Sequence, residues 1–152
     1  MTQPLNTSFR PHVISCWVDT PTIAPISGCS EEHTLPIGTA VRIVVIGVLA
    51  NNDLLADVIA EIENAKRIAK EGRTQIGAAV DENTKLAMDT IGRRNGASRA
   101  QVLRAALRVG AKHLGDFSAE LASECEARSA AHRRSRDRLI KMMNRFQDEV
   151  SA

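Results

Sequence analysis

A chain of 152 residues has room for one domain, or for a small domain with extensions. Twenty Lys and Arg stand against eighteen Asp and Glu, so overall charge points to no partner class. Aromatic residues make up 3%, only Phe9, Trp17, Phe117 and Phe146, which leaves no base-stacking platform and argues against a single-stranded nucleic-acid module. A core drawn from Ala, Val, Leu, Ile and Met alone is thin at this size, so burial between two chains is expected and a homodimer is the default. Three cysteines, Cys16, Cys29 and Cys125, give no disulfide framework. No basic segment followed by an apolar run opens the chain, and the longest apolar stretch, residues 37–50, carries Arg42 and is short for a bilayer. A cytoplasmic protein without a membrane span is expected.

All five prolines lie before residue 37, among scattered Ser, Thr and Gly, so residues 1–40 read as an irregular or disordered arm. Within it His12, Cys16, Cys29 and His33 form H-x3-C-x12-C-x3-H, a weak candidate for a zinc site whose ligand order departs from that of a zinc finger. No metal or other cofactor is expected. Residues 41–72 read as a β-branched strand, "VRIVVIGVL", followed by an amphipathic helix. Asn51, Asn52 or Asp53 caps that helix, Leu54, Leu55, Val58, Ile59, Ile62, Ala65, Ile68 and Ala69 keep one apolar face, and Gly72 closes it.

In "RTQIGAAV", residues 73–80, Thr74, Ile76, Ala78 and Val80 alternate with Arg73, Gln75, Gly77 and Ala79, the period of a β-strand. Asp81 caps a helix to about Arg94, with Met88 and Ile91 facing the core, and Asn95-Gly96 ends it. Ser98 and Gln101 form a capping box opening a second helix, with Val102, Leu103, Ala106, Leu107, Gly110 and Leu114 on its buried face and Gly115 ending it. Between residues 66 and 115 eleven basic side chains face four acidic ones, a local excess suited to phosphates. Residues 116–152 read as a helical tail that starts acidic and turns basic, with a Leu139–Val150 apolar stripe suited to a protein partner.

Strand, helix, glycine turn and helix in this order, with "MDTI", "NGAS" and "RAQVLRAAL" in register, resemble the ribbon-helix-helix (MetJ/Arc/CopG-type) family over residues 73–115. The resemblance implies a mainly α fold with a short β-ribbon, a ribbon-helix-helix dimer carrying an additional N-terminal helix and a helical C-terminal tail. In that family the strand pairs with the same strand of a second chain, and the ribbon enters the DNA major groove. Carried over, Arg73, Gln75, Gly77 and Ala79 face base edges, while Ala97, Ser98 and Arg99 hold a phosphate at a helix N-terminus. Ile76, Ala78, Val80, Met88, Ile91, Val102, Leu103, Ala106 and Leu107 then form the dimer core. The function implied is a dimeric, sequence-selective repressor of transcription that binds double-stranded DNA, with higher-order assembly on DNA possible. The alternatives are an antitoxin whose tail binds its toxin and an accessory DNA-binding protein of plasmid transfer or partition. An enzyme is not expected: Ser98 and His113 lie at opposite ends of one helix, about 22 Å apart by helix rise.

Overall fold

The computed structural model describes residues 10–151 and is mainly helical, with one two-stranded antiparallel sheet. The elements run β1 (His12–Asp19), α1 (Thr20–Glu32), α2 (Ile37–Ala50), α3 (Asn52–Ala65), β2 (Arg73–Val80), α4 (Glu82–Asn95), α5 (Arg99–Ala111), a 3-10 turn (Leu114–Phe117) and α6 (Ser118–Ser151). Among the described residues, no single helix is long and apolar enough to cross a membrane.

Two expectations for the N-terminal third are overturned. The arm expected over residues 1–40 is, from His12 onward, a strand and two helices; residues 1–9 lie outside the described residues. The strand expected at 41–49 is the body of α2. A short run of apolar residues fits a buried strand and a buried helix equally. Here it is buried from several sides by α1, α3, α5 and β2, and a helix surrounded this way needs no polar stripe. Two of the prolines read as breakers mark helix starts instead: Pro21 stands in the first turn of α1, where its missing N–H costs nothing, and Pro36 precedes α2, while Pro25 lies inside α1.

The partner of β2 is also corrected. It pairs antiparallel with β1 of the same chain, in the register Val13↔Ala79, Ser15↔Gly77, Trp17↔Gln75 and Asp19↔Arg73, rather than with a copy of itself. Ile14, Cys16 and Val18 on one strand and Ile76, Ala78 and Val80 on the other turn inward and are buried. The residues assigned to a dimer core therefore line the core of a single chain, with Met88, Val102, Leu103, Ala106 and Leu107 fully buried and Ile91 packed at its margin.

This pairing exposes an internal repeat. At a constant offset of 62 residues, β1-α1-α2 corresponds in order to β2-α4-α5, and Ile14, Val18, Asp19, Thr22 and Arg42 recur as Ile76, Val80, Asp81, Thr84 and Arg104. Buried Ile26 falls on buried Met88 and buried Val41 on buried Leu103. The turn between the helices repeats as well: the N–H of Leu35 donates to Ser30 O at 2.9 Å, as that of Ala97 does to Gly92 O. Thr34 and Gly96, at equivalent places, both have positive φ, 53° and 64°. The two units interlock, α2 lying against β2 and α5 against β1. Where α2 and α5 cross, a Cβ on Gly110 would stand 2.2 Å from Val44 Cγ1, so only glycine allows this approach.

The link between the repeats is held by α5. Asn51 caps α3 by accepting from the N–H groups of Asp53 and Leu54. Expected to run on toward Gly72, α3 ends at Ala65, where Arg104 donates to the Ala65 carbonyl and Arg108 to Asn64 O at 2.9 Å. Two guanidinium groups on the last carbonyls satisfy groups that a helix end leaves open, and they oppose its negative pole.

Candidate nucleic-acid interface

The outer face of the β1–β2 ribbon carries Val13, Ser15 and Trp17 from one strand and Arg73, Gln75, Gly77 and Ala79 from the other. The four expected base-facing positions all lie on this face: Gln75 and Ala79 are exposed, Arg73 and Gly77 half-buried. What the sequence reading missed is β1. Its contribution to the face is largely apolar, Val13 at 74% exposure and Trp17 at 38%. Arg73 lies over the Trp17 ring, 4.3 Å from its centroid, so the one guanidinium on this face is held in place by a cation–π contact.

The flanking helix ends are unequal. Ser98 forms the expected capping box, its hydroxyl accepting from Gln101 N at 3.2 Å while its own N–H donates to Gln101 Oε1 at 2.9 Å. Ala97 N–H is engaged with Gly92 O. Of the donors expected for a phosphate, those of Ala97 and Ser98 are thus already satisfied, which leaves the first-turn N–H groups of Arg99 and Ala100. At the corresponding end of α2 stands Pro36, without N–H or hydroxyl.

Three arginines of this basic segment are engaged by other groups of the fold. Arg104, only 6% exposed, donates to Trp17 O at 2.6 Å and to Ala65 O, and burial lowers its pKa. Arg108 reaches Asp19 and Glu61 as well as Asn64 O. Arg99 makes a two-pronged pair with Asp89, Nε to Oδ1 at 2.8 Å and Nη2 to Oδ2 at 2.9 Å; this bond holds the Asp89 carboxyl below the usual carboxylate range. Their partners separate these three arginines: two reach segments distant in sequence, and Arg99 pairs within its own helix hairpin.

The weak zinc candidate is not assembled. His12 pairs with Glu82 at the end of the ribbon, Cys16 points into the core, and Cys29 and His33 lie at the end of α1. Among the described residues, no group of three or more His, Cys, Asp or Glu is placed to hold a metal ion. His113 and Asp116 do approach to 3.5 Å, but Ser98 caps the far end of α5.

Only the start of α6 is docked. Leu121 is buried, and Glu124 pairs with Arg42 at 3.4 Å. The helix is 34 residues long, about 51 Å at the standard rise, and its stripe of Leu139, Ile140, Met142, Met143, Phe146 and Val150 is exposed. Comparison of the chain with protein-family models, with curated proteins and with solved structures finds no match.

Proposed function

We propose that this protein binds double-stranded DNA by laying the β1–β2 ribbon in the major groove, and that it acts as a repressor of transcription. The observation that carries the reading is the ribbon itself: two strands with one buried and one exposed face, the exposed face bearing Arg73 and Gln75. A two-stranded ribbon fits the major groove, where glutamine can pair with adenine through two hydrogen bonds and arginine with guanine. The resemblance over residues 73–115 supports the same use of the strand, and the repeat supplies the second strand within one chain. The DNA-binding unit is then a single chain.

The test is fluorescence anisotropy of the purified chain on duplex DNA over a range of salt, followed by a footprint on the DNA upstream of its own coding sequence. Binding with a negative log–log salt slope, and protection of the upstream DNA, are expected. No binding to any duplex at low salt would sink the reading.

A second reading is favoured by one feature, the exposed apolar stripe at the end of α6. In an antitoxin or a plasmid accessory protein that stripe would bind a protein partner. A toxin gene, or mobilisation genes, beside the coding sequence would favour it.

A further inference from the structure

A repressor made of two identical chains presents the same readers twice, so its DNA site mirrors its two-fold axis. This chain has two copies of the unit but not two copies of the readers. At the 62-residue offset the counterpart of Gln75 is Val13, that of Arg73 is Pro11, that of Gly77 is Ser15 and that of Ala79 is Trp17. The register gathers the polar readers at one end of the ribbon, with Gln75 opposite Trp17 and Arg73 opposite Asp19. The other end carries Val13 opposite Ala79, both exposed and both without a hydrogen-bonding side chain.

We propose, resting on the DNA-binding reading above, that one chain occupies one site and that the site is non-palindromic. One half is read through hydrogen bonds from Arg73 and Gln75, and the other through apolar contact of Val13 and Ala79 with thymine methyls. Apolar contact with the thymine methyl is an established mode of readout, and in the major groove it distinguishes thymine from cytosine at the same place. The cation–π contact that fixes Arg73 on Trp17 strengthens the polarity, because it positions the guanidinium at one end only. The helix ends flanking the ribbon differ too, Ser98 on one side and Pro36 on the other.

The experiment is selection from a random duplex library by the purified full chain, with the mass of the selected complex read by native mass spectrometry. A consensus without dyad symmetry, bound by one chain, is expected. A palindromic consensus, or two chains per site, would overturn the proposal and leave DNA binding standing; no enrichment of any duplex would overturn both. The companion variant is Val13→Gln, at a position 74% exposed, where the new side chain needs no space in the core. It makes the two copies alike at the main reader. Its selected consensus is expected to gain an inverted second copy of the half read by Gln75, with about tenfold tighter binding to that symmetric site, the effect of one added two-pronged pair. An unchanged consensus for this variant would overturn the assignment of the two halves.

Discussion

Asp19 and Asp81 stand 62 residues apart and hold the same place in two copies of one unit. Each precedes a helix in extended conformation, and the carboxylate of each accepts the hydroxyl of the threonine three residues on, Thr22 at 2.8 Å in the first copy and Thr84 in the second. The pair fixes the alignment of the repeats, and differences between equivalent residues then become informative. Where one copy keeps a local conformation without the residue that suits it, the energetic consequence can be measured.

Thr34 is such a residue. It adopts φ 53° at the turn where the second copy has Gly96 at 64°. A β-branched side chain in the left-handed region carries roughly 1–2 kcal/mol of steric cost, partly offset by the greater chain entropy glycine loses on folding. Thr34→Gly is therefore expected to stabilise the fold by about 1 kcal/mol, a rise in melting temperature of roughly 2–4 °C at this size. Gly96→Thr should shift it the other way through the same strain, since a Cβ there meets only Lys66 Nζ at 3.9 Å. Thermal unfolding of both variants checks the signs.

Arg104 joins three segments that are distant in sequence: α5, the Trp17 carbonyl of β1 and the Ala65 carbonyl closing α3. Arg104→Met keeps the length of the side chain but takes this donor from both carbonyls, that of Ala65 buried and that of Trp17 partly buried. A loss of about 2–4 kcal/mol is expected in urea unfolding, more than for Arg108→Met, whose partners are nearer solvent. Equal losses for the two would remove Arg104 from its role as the central tie.

The legible part of the fold was the second copy, because its signals are local. Asp81 caps α4, Gly96 turns the chain, and Ser98 with Gln101 boxes the start of α5, so each boundary is written in adjacent residues. In the first copy Thr34 replaces the glycine and Pro36 the capping serine, and α2 has only Thr39 and Arg42 among its apolar and glycine residues, so the same structure carries few of the same signs. The missed clue was the repetition itself: I-x-x-x-V-D-x-x-T occurs at 14–22 and again at 76–84. The outer face of β2 was legible from alternation. Its partner strand, and the carbonyls and carboxylates that hold Arg99, Arg104 and Arg108, depend on contacts that no local pattern encodes.

The pair between Asp89 and Arg99 makes a prediction for the interface. Both forks of the guanidinium are committed to the carboxylate, so under the proposed DNA-binding function Arg99 would contribute less than a free arginine. Asp89→Asn should release it and steepen the log–log salt dependence of duplex binding by roughly one unit, while Arg99→Ala should not. The cost in folding stability should stay below about 1 kcal/mol because the pair is partly exposed. An unchanged slope in Asp89→Asn would place Arg99 away from the phosphates.

Cys16 gives the fold a dependence on alkaline pH. Its thiol is buried beneath the ribbon, and burial pushes its pKa up to about 11, against the smaller opposing effect of Arg104 and Arg108. The folded-state pKa is raised, so the contribution to stability is complete below the unfolded thiol's value. Between about pH 9 and 11 the unfolded chain gives up the proton while the folded chain keeps it, and stability falls as pH rises through that window. A two-unit separation corresponds to roughly 3 kcal/mol at its upper end. Urea unfolding at pH 8, 9.5 and 10.5 should therefore show the wild-type chain losing stability relative to Cys16→Ala. In the native state at pH 8, iodoacetamide should modify Cys29 and Cys125, both partly exposed, well before Cys16. Rapid labelling of Cys16 would mean that the ribbon lifts from α2 and α5 far more often than its packing implies.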